Sequence, residues 1–181
     1  YYSYLKHDPV HYSFKEKDNT ILTVSRLGTP EKVTDLLMNA FQMIASDIPE
    51  WNLRLVGPIE DSFRDFIDSY YQKYPELKER VIFTGPVMDK DKLMIEYEKA
   101  KIFALPSAWE SAPNVISESL TSGCVSAVST FNAWKDCIDD GRCGLAAERN
   151  NVEAFANCLK ALCFDPELEK KSEHARKYAS E

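Results

Sequence analysis

Six short apolar runs punctuate the chain, and each is followed by residues with helical periodicity. The runs are Thr20 to Ser25, Asn52 to Val56, Arg80 to Thr84, Lys101 to Leu105, Cys124 to Ser129 and a short one near Leu145. Gly57-Pro58 stops the second and Gly85-Pro86 the third. The fourth is apolar almost throughout, the pattern of a strand covered on both faces. Amphipathic helices are expected over Lys32 to Ala45, Ser62 to Lys73, Asp89 to Glu98, Asn114 to Thr121, Asn132 to Ile138, Val152 to Cys163 and Glu167 to Ser180. Leu93, Met94 and Tyr97 share one face of the third of these. Strands alternating with helices imply right-handed βαβ units, hence an α/β fold with a Rossmann-like, doubly wound parallel sheet. Ligands of such sheets sit beyond the carboxyl ends of the strands. The residues at those ends are Ser25-Arg26, Gly57, Gly85, Pro106 to Val115 and Thr130.

The segment PSAWESAPNVISESL is the richest in chemistry. It carries Glu110 and Glu118, with seven residues between them, across the passage from a strand to a helix. The start of a helix exposes free backbone N–H groups and a positive dipole end, which suits a phosphate. Two carboxylates beside that cradle can accept hydrogen bonds from sugar hydroxyls. Arg26, which follows the first strand, and Lys32, which opens the next helix, supply cations that can neutralise a diphosphate.

This segment resembles the signature of family 4 glycosyltransferases, retaining enzymes of the GT-B fold. ILTVSRLGTPEK resembles their first strand and Arg/Lys phosphate clamp. LRLVGP, VIFTGPV, SGCVSAVST and DDGRCGLAAE resemble the flanking elements in the same order. The resemblance covers about Asn19 to Leu162 and implies the C-terminal, nucleotide-sugar-binding half of such an enzyme. It assigns Arg26, Lys32 and Glu110 to the transfer. Glu118 would hold the ribose, Ser111, Ala112, Asn114 and Val115 the sugar and phosphate, and Gly85 to Met88, with Val87, the base. The implied donor is a UDP-, GDP- or ADP-sugar, with no metal or other cofactor. The implied reaction is retaining hexosyl transfer to a glycan or lipid-linked acceptor, which an N-terminal domain absent from this chain would hold. A GT-B-fold epimerase or phosphorylase, or a non-enzymatic doubly wound regulatory domain, are the alternative readings.

Four places depart from the family pattern, one of them FNAWKD, which stands where many members carry a Gly-Gly turn. Val33 stands where a Gly is frequent, Ala112 replaces an aromatic, and Pro113 lacks an N–H. Trp109 and Trp134 flank the expected mouth, where ordinary packing is the favoured role for each.

Residues 1–19 show little periodicity and are expected to be an interdomain lead-in to a domain over 20–181. Tyr1 in place of an initiator Met leads us to expect a piece of a longer protein. The net charge of −7 and the lack of a basic stripe argue against nucleic-acid binding. No apolar run is long enough to span a membrane, though peripheral association is compatible with the sequence. The five cysteines form no C-x-x-C pair and lie far in sequence from His7, His11 and His174. Asp136, Asp139 and Asp140 form no ligand pattern. We therefore expect neither a metal site nor a disulfide framework, and a reducing, cytoplasmic setting at or near the inner membrane surface.

Overall fold

The computed structural model of the chain describes residues 11–110 and 114–181. Six strands form one sheet: β1 (Asp18–Val24), β2 (Asn52–Val56), β3 (Val81–Gly85), β4 (Ala100–Leu105), β5 (Val125–Ser129) and β6 (Gly144–Ala147). Their order is β3-β2-β1-β4-β5-β6, and every neighbouring pair is parallel. The helices are α1 (Thr34–Ile44), α2 (Arg64–Lys73), α3 (Lys90–Lys99), α4 (Asn114–Thr121), α5 (Trp134–Cys137), α6 (Val152–Cys163) and α7 (Leu168–Ala179). This is the doubly wound, Rossmann-like α/β sheet that the strand–helix alternation predicts.

Adjacent strand residues feed opposite layers, as the two-residue period of a strand requires. Ile21, Ile102 and Ala104 join Leu37, Phe41, Phe155 and Leu159 on one face. Leu22, Phe103 and Leu105 join Tyr97, Ile116, Leu120 and Ala175 on the other. The apolar unbroken sequence of β4 follows from that double coverage.

Apart from the loss of one residue at each end of the last, three expected helices are shorter or broken in the structure. The first begins at Thr34 instead of Lys32, because Val33 takes a left-handed conformation at φ 41°. Lys32 consequently sits in the loop before the helix. The second splits into a 3-10 turn, Asp61–Phe63, and α2. The fifth shrinks to Trp134–Cys137, since Ala133 is also left-handed, at φ 62°.

Residues 11–17, expected to belong to an irregular lead-in, pack onto the domain. Ser13 donates through its N–H and its hydroxyl to Glu16, at 2.8 and 2.7 Å, around a 3-10 turn over Phe14–Glu16. Lys17 is 4% exposed. Its ammonium donates to the carbonyls of Glu98 at 2.6 Å, Ser122 at 2.8 Å, Ala100 at 3.1 Å and Tyr97 at 3.5 Å. Those carbonyls lie at the C-terminal ends of α3 and α4, where unsatisfied C=O groups and the negative dipole end collect. The neighbouring Glu98 carboxylate, buried at 3% exposure, takes both guanidinium arms of Arg176 at 3.2 and 2.9 Å. It also accepts the Tyr12 N–H at 3.0 Å.

Two outcomes follow. Lys17→Met keeps the stem but orphans several buried carbonyls, so urea unfolding is expected to show a loss of about 3 kcal/mol; a loss under about 1 kcal/mol would contradict the account. All five cysteines are free. Burial pushes the thiols of Cys124, Cys137 and Cys143 up to about 11 and those of Cys158 and Cys163 up to about 12. At pH 8 the native protein should therefore react slowly with a disulfide reagent such as Ellman's, whereas the chain in guanidinium should give all five equivalents.

Candidate functional site

β1 and β4 lie side by side at the centre of the sheet, and the chain leaves them in opposite directions. The helix after β1 packs into one core layer and the helix after β4 into the other. The loops diverge there and open a crevice, the topological switch point of the sheet. One backbone hydrogen bond ties them together: the Ala108 N–H donates to the Glu31 carbonyl at 2.9 Å. Within the first loop, the Gly28 N–H donates to the Thr34 hydroxyl at 2.9 Å.

Across this crevice the Lys32 ammonium donates to the Glu110 carboxylate, with the two side chains 21% and 10% exposed. Glu110 also accepts the Ser107 hydroxyl at 2.6 Å. Ser107 is wholly buried, and its own carbonyl accepts the hydroxyl of Ser129 at the end of β5. The carboxylate is thus fixed from the sheet side by a serine and from the opposite loop by an ammonium. Its partially buried setting makes the ion pair less screened than a surface one.

Arg26 behaves differently. Its guanidinium is 67% exposed and pairs with Glu60, beyond β2, at 2.7 Å. The two cations expected to act as one clamp rise from the same loop but engage carboxylates on opposite neighbours.

Glu118 lies on α4 and is half-buried. It accepts the hydroxyl of Tyr97, on α3, at 2.9 Å. Asn114 is exposed at the start of α4, and Val115 packs against the second core layer. Ser111, Ala112 and Pro113 lie outside the described residues. Gly85 closes β3 at φ 76° with open space above its Cα, and its carbonyl accepts the Gly57 N–H at 3.0 Å. A Cβ on Gly57 would fall 1.8 Å from the Ser25 carbonyl oxygen, so only glycine admits this approach of two strand ends. Val87 is half-buried against the second layer, while Met88 is exposed.

Trp134 packs as expected, against the second layer. Trp109 does not: it is 59% exposed beside Glu110. Sequence patterns placed Ser107 at the expected rim without giving it a role, and missed Glu31 and Tyr97. Ser107 acts through its hydroxyl on Glu110 in the same loop and Glu31 through its backbone carbonyl to the other loop, and neither leaves a periodic signal. Tyr97 reads as a core residue from its helical spacing, and its ring is indeed wholly buried.

One group of the described residues could hold a cation. Ligand atoms of Asp139, Cys143 and His174 lie within 4.8 Å of one another. His174, remote in sequence, is brought there by α7. The Asp139 carboxylate already accepts His174 Nε2 at 2.7 Å and the Arg142 guanidinium at 2.5 Å. Those hydrogen bonds hold its carboxyl below the usual range. A metal ion would have to displace a guanidinium and take a proton from a thiol whose burial resists ionisation, so the donor set fits a cation poorly.

Comparison with known proteins agrees with this architecture. The model of the family "Glycosyl transferases group 1" matches residues 7–181. The chain belongs to that family of glycosyltransferases, and its sheet is the Rossmann-like half of a GT-B fold. It is 29% identical over 157 residues to an uncharacterized glycosyltransferase of Haemophilus influenzae, covering 85% of this chain and 42% of that protein. It is 30% identical over 156 residues to the GalNAc-alpha-(1->4)-GalNAc-alpha-(1->3)-diNAcBac-PP-undecaprenol alpha-1,4-N-acetyl-D-galactosaminyltransferase of Campylobacter jejuni, covering 86% and 41%. The chain therefore spans less than half the length of these relatives. The pneumococcal O-GlcNAc transferase GtfA, solved with UDP and GlcNAc, superposes with a TM-score of 0.78 at 19% identity, covering 96% of this chain and 34% of that one. Anabaena HepE, solved with UDP, superposes with a TM-score of 0.74 at 23% identity, covering 91% and 44%.

Proposed function

We propose that this chain is the donor-binding domain of a retaining glycosyltransferase, one that moves a hexosyl group from a nucleoside diphosphate sugar to a glycan or lipid-linked acceptor. The observation carrying this reading is the meeting of Lys32 and Glu110, from two different loops, at the switch point of the sheet. In this reading the N–H groups at Asn114 and Val115 cradle the phosphates at the positive end of α4. Lys32 and Arg26 neutralise charge that grows on the diphosphate as the glycosidic bond breaks. A diphosphate would compete with Glu110 for the Lys32 ammonium and free that carboxylate for a sugar hydroxyl. Glu118 accepts the ribose hydroxyls. Ser111 and Ala112 line the sugar and phosphate, and Gly85 and Val87 border the base.

For retention at the anomeric carbon, the departing phosphate itself is proposed to deprotonate the acceptor, as the family resemblance implies. Two side-chain cations supply the charge neutralisation, so the transfer is proposed to need no metal. Relatives solved with UDP support a nucleoside diphosphate donor, of which UDP, GDP and ADP sugars are the candidates. A relative named for an undecaprenol-linked substrate supports a lipid-linked acceptor, held by an N-terminal domain outside this chain. Among the described residues no helix is long and apolar enough to cross a membrane. We place the enzyme in the cytoplasm at the inner membrane surface, by peripheral association.

Lys32→Ala in the complete enzyme tests the clamp. Turnover with a panel of UDP-, GDP- and ADP-sugars is expected to fall on the order of 100-fold or more. Near-native turnover would remove Lys32 from the chemistry. The same panel, scored for epimerisation and phosphorolysis as well as transfer, separates a transferase from the other enzyme readings.

A further inference from the structure

Tyr97 is wholly buried, yet it ends in a polar atom. Its ring packs against Phe103, with centroids 5.7 Å apart, inside the core layer formed by β4, α3 and α4. A phenylalanine would fill that space equally well. A buried phenol requires a hydrogen-bond partner, and here the partner is the Glu118 carboxylate at 2.9 Å. We propose that Tyr97 is a positioning residue: from inside the core it orients Glu118 for binding the nucleotide's ribose. This rests on the assignment of Glu118 to the ribose hydroxyls.

Several features support the role. Tyr97 is held at its other end too, where its carbonyl accepts the thiol of Cys124 at 3.1 Å. The phenol is therefore delivered from a rigid point. Burial first, and then the facing carboxylate, push its ionisation far above the ordinary phenol range, so it stays a donor at any working pH. A glutamate has three rotatable side-chain bonds, and freezing them on binding costs affinity. A carboxylate already held by a core donor meets its ligand with part of that entropy lost beforehand. One O–H uses one of about four acceptor sites, leaving capacity for two ribose hydroxyls.

The test compares two ligands on one protein. In the complete enzyme, dissociation constants are measured for the tightest binder among UDP, GDP and ADP and for its 2′,3′-dideoxy counterpart. The wild type should prefer the ribonucleotide by at least about tenfold. In Tyr97→Phe that preference should shrink about fivefold, with donor KM raised and kcat within about twofold. Because both ligands are read on the same folded protein, the ratio cancels any general loss of stability. Should Tyr97→Phe fail to fold, Tyr97→Met fills the gap without a hydroxyl. A wild type indifferent to the ribose hydroxyls overturns the ribose assignment of Glu118. A wild type that discriminates, beside a Tyr97→Phe with the same ratio, overturns the positioning role alone. In a Glu118→Ala background Tyr97→Phe should change the ratio no further; a further change would show that Tyr97 acts by another route.

Discussion

The pairing of β1 with β4 organises the whole molecule. Ile21 sits beside Ile102, and Leu22 beside Phe103, so each of the two central strands feeds both core layers. Right-handed crossovers are strongly preferred in parallel sheets. A chain that adds strands first on one side of β1 and later beyond β4 must then place its helices on opposite faces. The loops above the two strands separate, and the crevice between them follows from topology. Lys32 and Glu110, 78 residues apart, meet only because that crevice brings the two loops to one rim.

The opposite end of the same strands is held by a different device. Lys17 reaches beneath α3 and α4 to their terminal carbonyls, and Arg176 from α7 locks the Glu98 carboxylate beside it. Between the same two helices the Tyr97 hydroxyl bonds Glu118. The two helices are therefore tied twice, by a buried cation and by a buried phenol. Such a double tie suits the role proposed above for α4, with a phosphate at its first turn and the Glu118 carboxylate in its second.

Much of this was legible in the sequence, and the parts that were not share a cause. Strand existence and order of elements follow from apolar runs and helical periodicity, which local chemistry fixes. The position of Lys32 does not, because Val33 looks like a helix residue by spacing and its left-handed backbone is imposed by the loop. Arg26 and Lys32 look equivalent in sequence, but Glu60 draws one toward β2 and Glu110 draws the other toward β4. The proximity of His174 to Cys143 and Asp139 depends on where α7 docks, and sequence distance misleads there. Lys17 is the extreme case: a lysine in a polar lead-in reads as solvated, and only the convergence of two helix ends makes its burial tolerable.

Backbone strain touches the same rim. Among the described non-glycine residues with positive φ, Val33, Ala133 and Asn150 follow β1, β5 and β6, whereas Asp139 and Asp140 precede β6. A β-branched residue in the left-handed region costs on the order of 1–2 kcal/mol. Val33 is nevertheless held there, because its carbonyl accepts the N–H groups of Leu36 and Leu37 at the head of α1, while Glu31 two residues earlier is bonded to Ala108. Helical continuation through Lys32 would rotate its side chain onto the surface of α1. The strained residue instead ends the loop just before the helix and leaves the ammonium facing Glu110. At Val33 the unfavourable conformation falls where the chain turns away from the carboxyl edge of β1, and the charged pair across the crevice is what that geometry secures.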